Sequence, residues 1–167
     1  GVTIAGDVLL YDTVSGTWTS RGPMLTAAGQ KLYPVGDAAV VAADEVYVVA
    51  LLEPNDTMSD NAAPLQKLVR LDPTVLGVNT TIVRDLVLSE LLVGLESTAT
   101  GDGLVGLGNR KGVYGVPTTA AGVVTKRGDL AAVPAVTFGG LSGLPAGIES
   151  DPGRQDFLLA LQGGEKE

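Results

Sequence analysis

The sequence predicts an all-β domain built from short antiparallel strands. Apolar runs rich in β-branched residues recur along the chain, and each run is long enough for a strand but too short for a helix. The 23 glycines and 9 prolines are spread over the whole length, as turns between many strands require. Segments of the sequence also repeat, at a spacing near that of a four-stranded unit.

Composition limits both the architecture and the chemistry. The 167 residues fit one β-domain, 1–167, and the net charge of −8 disfavours nucleic acid as a partner. No stretch is long and apolar enough to span a membrane. The sequence contains no histidine and no cysteine, which removes imidazole bases, thiol nucleophiles and most zinc or copper sites. We therefore expect binding rather than catalysis, with no catalytic, cofactor-binding or metal-binding residue in the chain.

The individual elements follow from the apolar runs. In chain order the predicted strands include residues 8–11, 38–41, 46–49, 67–71, 81–83, 104–107, 122–125 and 157–161. Residues 83–95 have leucines at a spacing compatible with a helix. Valine, serine and glycine recur through that segment and no capping box opens it, so we expect strands there as well.

An internal repeat relates the first hairpin to a later one. Residues 16–24, GTWTSRGPM, align without gaps on residues 122–130, GVVTKRGDL. A looser third version covers residues 79–86. Leu71-Asp72 precedes this third version much as Tyr11-Asp12 precedes the first. The repeat predicts successive units of the same architecture.

The order and spacing of Tyr11-Asp12, Trp18 and Met24 resemble the kelch repeat, in which a third strand ends in Tyr-Asp and a fourth begins with Trp. Residues 37–49 resemble the first two kelch strands joined by an acidic turn. Gly163-Gly164 matches the glycine pair that follows the second strand. In the middle units Leu71 and Ile82, then Val116 and Val124, stand where the first unit has Tyr and Trp.

This resemblance implies kelch-like β-propeller blades, with a β-sandwich or a fibrous β assembly as the alternative. It implies a half blade of strands three and four at 4–24, blades at 36–86 and 91–130, and a half blade of strands one and two at 135–164. Trp18 is expected to pack between adjacent blades. Because closed propellers need four to eight blades, we expect a protein partner, a second copy or a longer polypeptide to complete the ring.

The expected function is that of a structural or adhesive interaction module within a larger propeller, ectodomain or assembly. The resemblance also leaves an enzymatic alternative, since the kelch family includes the propeller domain of galactose oxidase-like copper enzymes. In that case the catalytic residues must lie outside this chain, which has no histidine.

Short motifs point to possible ligands. Residues 101–106 fit Gly-x-Gly-x-x-Gly, but no helical pattern follows, so a turn entering a strand is favoured over a nucleotide site. Arg127-Gly128-Asp129 spells a receptor-binding tripeptide, although the repeat places its Arg-Gly pair at the turn leaving a fourth strand. Residues 53–61 are rich in oxygen-bearing side chains, yet their spacing favours a plain insertion over a calcium loop.

Asn55 and Asn79 both lie in N-glycosylation sequons. Together with the acidic balance, these sequons favour an extracellular or cell-surface glycoprotein. The missing cysteines, taken alone, favour a reducing compartment and leave a cytoplasmic location as the alternative.

Overall fold

The computed structural model describes residues 1–42, 44–53, 65–74, 79–98, 103–130, 137–143 and 157–162, the last two ranges and Asn79 by their backbone only. These residues form antiparallel strands and no helix, which confirms the all-β class. None of them belongs to a helix that could cross a membrane. The strands are β1 (Asp7–Asp12), β2 (Thr17–Pro23), β3 (Tyr33–Ala42), β4 (Glu45–Leu51), β5 (Gln66–Asp72), β6 (Asn79–Leu86), β7 (Leu92–Ser97), β8 (Leu104–Gly108), β9 (Gly112–Val116), β10 (Thr125–Asp129), β11 (Thr137–Gly143) and β12 (Phe157–Gln162).

The strands form four sheets in which neighbours in sequence are neighbours in space. Strands β3-β4-β5-β6 make one four-stranded meander, and β7-β8-β9-β10 make a second. The hairpin β1-β2 precedes these two sheets, and the hairpin β11-β12 follows them. Every pairing between the described strands is antiparallel, as the short connections between most of the consecutive strands require.

Three hairpins, β1-β2, β5-β6 and β9-β10, share one irregularity. In each, the second strand carries one unpaired extra residue: Arg21 in β2, Val83 in β6 and Arg127 in β10. The extra residue is a β-bulge, which bends the strand and increases its twist. The alignment of residues 16–24 on residues 122–130 places Arg21 on Arg127. The two segments that repeat in sequence therefore also repeat the same bulge in the structure.

The structure corrects some details of the sequence interpretation. Of the predicted strand 122–125 only Thr125 lies in a strand, because β10 starts there, opposite Gly115. The residue paired with Leu71 is Thr80, so Ile82 does not take the place that Trp18 has opposite Tyr11. The connection from Asp72 to Asn79 is longer than the one from Asp12 to Thr17, which shifts the match by two residues.

The first hairpin packs face to face on the β3-β6 sheet, and that sheet packs face to face on the β7-β10 sheet. We call the face turned toward the following sheet its forward face and the opposite face its rear face. Alternation along the strands sorts the core accordingly. The forward face of β1-β2 (Val8, Met24) packs on the rear face of β3-β6 (Val48, Ala50, Val69, Leu71). The forward face of β3-β6 (Ala39, Tyr47, Val49, Leu68, Leu86) packs on the rear face of β7-β10 (Leu92, Leu95, Leu104, Tyr114, Val116).

The first strands of successive sheets lie side by side. Strand β7 contacts β3 and β4, and β11 contacts β7 and β8 in the same way. At the β3-β7 contact Gly36 faces the backbone of Val93 so closely that an added Cβ would lie 2.0 Å from the Val93 carbonyl oxygen. Glycine at position 36 is therefore required for the two backbones to approach. A third apolar cluster, around Val105 and Leu107, lies on the forward face of β7-β10.

Candidate functional site

An exposed aromatic pair lies on the rear face of the first hairpin. Tyr11 in β1 is paired with Trp18 in β2, and cross-strand partners project from the same face of a sheet. Their ring centroids are 4.8 Å apart with a tilt of 44° between the planes. Tyr11 is 46% exposed and Trp18 is 61% exposed. The expectation that Trp18 packs between sheets is therefore wrong for the described part of the chain, where the first sheet has a neighbour on its forward side only.

The turn next to this pair is fixed by Asp12. Its carboxylate accepts hydrogen bonds from the Val14 backbone N–H at 2.9 Å and from the Ser15 hydroxyl at 2.6 Å. The Gly16 N–H donates to the Asp12 carbonyl oxygen at 2.8 Å, and the positive φ of 69° at this position favours glycine. The bonds from Ser15 and Val14 lower the pKa of the Asp12 carboxyl. The turn thereby fixes the register that places Tyr11 opposite Trp18.

Asp72 has the same role in the third version of the repeat. It accepts hydrogen bonds from the Thr74 N–H at 3.0 Å and from the Thr74 hydroxyl at 2.6 Å. These bonds lower the pKa of Asp72. The two aspartates identified in the sequence as repeat positions thus each accept a hydrogen bond from the backbone N–H two residues on.

The rear face of the first hairpin carries one charged residue of β1, Asp7, which lies at the end away from the aromatic pair and forms an ion pair with Lys31 at 3.6 Å. Alternation along β1 places Leu9 beside Tyr11 on this face, and register places Ser20 opposite Leu9. We call the set Leu9, Tyr11, Trp18 and Ser20 the rear patch. Met24, the last residue of the predicted repeat, is fully buried on the forward side. The hairpin therefore has one buried face and one accessible apolar face.

Arg127, Gly128 and Asp129 lie in strand β10 itself rather than in the turn that follows it. All three residues are exposed. Asp129 forms an ion pair with Lys126 at 2.6 Å. The Arg127 side chain lies over Gly115, where an added Cβ would be 2.8 Å from the Arg127 Nε. The motif is held in extended conformation at a sheet edge, which differs from the loop tip in which such a tripeptide is usually presented.

A small cleft lies beside this edge. Its volume is about 260 Å³, and its lining includes Thr98, Leu104, Val116, Pro117, Thr125 and Arg127. The lining mixes hydroxyl groups, one guanidinium and aliphatic side chains. None of the described residues that line it carries a carboxylate.

A buried carboxylate is the most constrained polar group that the sequence interpretation missed. Glu90 is only 5% exposed and precedes β7. Its Oε2 accepts hydrogen bonds from the Arg110 N–H at 2.7 Å and the Gly112 N–H at 3.4 Å. Its Oε1 accepts one from the Tyr114 hydroxyl at 2.7 Å. Burial and this bond to the carboxylate raise the pKa of Tyr114 to about 12.

Neighbouring groups make room for Glu90 and tie it to the preceding sheet. A Cβ added at Gly108 or Gly112 would lie 2.1 Å from a Glu90 carboxylate oxygen. The buried Gln66 side chain donates to the Glu90 carbonyl oxygen at 2.7 Å and accepts from the Leu92 N–H at 2.7 Å. Gln66 belongs to β5, so its amide links one sheet to the next. The arrangement fastens the β8-β9 turn to the sheet interface.

The remaining predicted positions are distributed as follows. Asn79 is the first residue of β6. Asn55, Gly163 and Gly164 lie outside the described residues, as do most of segment 53–61 and Gly101-Asp102. Leu104, the fourth residue of the Gly-x-Gly-x-x-Gly pattern, begins strand β8, as the interpretation of this pattern as a turn entering a strand expects. Among the described residues, no group of three or more acidic, histidine or cysteine side chains is placed to hold a metal ion.

Glu90 and Gln66 could not have been selected from the sequence alone. Their only signal is a lone polar residue bordering an apolar segment, which is also typical of an exposed turn. The partners that identify Glu90, at positions 110, 112 and 114, are 20 to 24 residues away.

The comparisons with known proteins add no relative. No protein-family model matches the chain, and no match was found among curated proteins or solved structures.

Proposed function

We propose that the chain is a structural or adhesive interaction module built from kelch-like β-propeller blades and belonging to a larger assembly. The observation that supports this proposal best is the regular succession of sheets. Three hairpins share the same bulge, and the forward faces of β1-β2 and of β3-β6 each pack on the rear face of the next sheet. A sheet series of this kind leaves open faces at its two ends, where other protein can be added.

The contacts between first strands favour blades over a β-sandwich. Strand β7 lies against β3, and β11 lies against β7, so the first strands of three sheets follow one another on one side of the molecule. In a propeller the first strands of successive blades surround a central channel. In a sandwich, two sheets enclose one core and no such series of first strands forms.

The accessible groups favour binding over catalysis. The rear patch exposes aromatic and aliphatic side chains, among them Tyr11 and Trp18. Tyrosine and tryptophan are enriched where proteins bind one another. A location outside the cell fits this function, with Asn55 and Asn79 as glycan acceptors. The intact mass of natively sourced protein tests that location, because attached glycans raise the mass above that of the bare sequence.

An experimental structure of the chain tests the proposal directly. Blades of a propeller with four to eight members are related by a constant rotation of about 45–90° around one axis near β3, β7 and β11. Sheets aligned to within about 30° of one another, without a common axis, would contradict the proposal. Copper bound to the intact gene product would instead support the galactose oxidase-like alternative.

A further inference from the structure

The rear patch occupies a position that is covered in the other two units. Register makes Tyr11 equivalent to Leu71 in β5 and to Val116 in β9. Leu71 and Val116 are each 1% exposed, whereas Tyr11 and Trp18 are 46% and 61% exposed. The same location in the repeat is thus buried twice and accessible once within the described part of the chain.

The covered copies show what fits on such a face. Leu71 is covered by Val8 and Met24 from the forward face of the hairpin before it. Val116 lies in one cluster with Tyr47 and Leu68 from the forward face of the sheet before it. Both covering surfaces are apolar β-sheet from the same repeat series. The rear patch is therefore suited to the forward face of another such sheet.

Charge indicates where two copies of this chain can meet. Each copy carries a net charge of −8, so most of their surfaces repel one another. The rear patch is uncharged. At the other end of the series, β11 (TFGGLSG) and β12 (FLLALQ) contain no charged residue. Charged residues of the first hairpin, Asp7, Asp12 and Arg21, lie outside the rear patch. Repulsion between two acidic copies is therefore weakest where the rear patch of one meets the β11-β12 strands of the other.

We propose that the rear patch docks on the β11-β12 sheet of a second copy of this chain. The inference rests on the proposed function, since it identifies the partner of the open sheet series. The contact is head to tail, and two such contacts related by a twofold axis close a dimer. Each contact continues the forward-to-rear packing that already joins the sheets within one chain.

Trp18 is the only tryptophan in the sequence, so its fluorescence reports on this face alone. The test records light-scattering mass, Trp18 emission and acrylamide quenching over a dilution series of the purified 167-residue chain. We expect the mass to rise from 17.0 kDa to twice that value. Over the same concentration range the emission should shift to shorter wavelength and most of the quenching should be lost.

A pair of matched variants locates the contact. Tyr11→Lys places a charge in the rear patch while leaving Trp18 as reporter, and it should raise the dissociation constant roughly 30-fold or more, as loss of an aromatic anchor does. Val87→Lys adds the same charge at an 85% exposed valine between β6 and β7 and should dimerise like the unmodified chain. Far-UV circular dichroism checks that both variants keep their strands.

The outcomes separate this inference from the proposed function. Association with unchanged Trp18 quenching would overturn the rear patch as the interface and leave the interaction module standing. Equal dimerisation of Tyr11→Lys and Val87→Lys would overturn it in the same way. If the chain stays monomeric and acrylamide quenches Trp18 fully at every concentration, a second copy is not the partner. The rotation between successive sheets in an experimental structure would then still test the blade architecture. The mass and quenching measurements on the unmodified chain do not require any variant to fold.

Discussion

Replacing the buried Glu90 carboxylate should destabilise the interface between the two four-stranded sheets. The side chain accepts three hydrogen bonds, from the Arg110 N–H, the Gly112 N–H and the Tyr114 hydroxyl, and the two shortest measure 2.7 Å. Glu90→Ala removes every acceptor and leaves donors without partners in a site that is 5% exposed.

The magnitude follows from the number of donors left unsatisfied. An unsatisfied buried donor costs about 1–3 kcal/mol, so losing the two short bonds should lower the free energy of unfolding by about 3–5 kcal/mol. Glu90→Gln keeps the shape and one acceptor oxygen. It exchanges charge-assisted bonds for neutral ones, which should cost about 1–2 kcal/mol.

Urea unfolding followed by far-UV circular dichroism measures both variants against the unmodified chain. Glu53→Ala is the matched control, because Glu53 is an exposed glutamate. Its unfolding free energy should stay within about 0.5 kcal/mol of the starting value. If Glu90→Ala were no more destabilising than Glu53→Ala, the carboxylate would not hold the β8-β9 turn and the reasoning would be refuted.

Three further perturbations test separate parts of the structure. Gly36→Ala places a Cβ 2.0 Å from the Val93 carbonyl oxygen and should lower the unfolding free energy by about 1–3 kcal/mol. Gly103→Ala is the control, because the nearest atom to its added Cβ would lie 3.7 Å away, and it should lower the unfolding free energy far less. Equal losses from the two variants would contradict the close approach of β3 and β7. Hydrogen bonds in its turn lower the folded-state pKa of Asp72, so the stabilisation is present above about pH 4 and is lost as the pH falls through the lowered pKa. Asp72→Asn should therefore reduce the fall in thermal midpoint on acidification, and an unchanged acid dependence would show that the turn does not depend on the ionised group. The pKa of Tyr114 is raised to about 12, so its stabilisation is present below about pH 10 and is lost as the pH rises toward 12. Tyr114→Phe should remove one phenolate ionisation near pH 12 from the ultraviolet titration, whereas loss of an ionisation near pH 10 would contradict the buried hydroxyl.

The strand content could be predicted because it depends on local patterns. Apolar runs with β-branched residues marked β1, β4 and β5 well, since each combines a short length with a clear face. Strands β7, β9 and β11 were harder to recognise because glycines interrupt them, at Gly94 and Gly115 for example. These glycines remove the apolar signal, and at Gly115 an added Cβ would lie 2.8 Å from the Arg127 Nε.

The sequence predicted which strands carry Tyr11 and Trp18 but not whether their side chains are buried. The repeat placed Tyr11 and Trp18 on consecutive strands of one hairpin, and the structure pairs them because the turn at Asp12 is encoded locally. Whether Trp18 is buried depends on a sheet that must come from elsewhere, and no local pattern specifies it. The Glu90 network could not be predicted for the same physical reason, since its partners are brought together only by the folded β8-β9 turn.

The molecular mass of the purified chain, measured by sedimentation equilibrium at several salt concentrations, tests the open sheet series most directly. Docking through uncharged sheet faces should give twice 17.0 kDa, and added salt should strengthen it because screening weakens the repulsion between two copies of charge −8. A mass of 17.0 kDa at every salt and protein concentration, or a dimer that salt dissociates, would contradict docking of the open sheet series on a second copy of this chain.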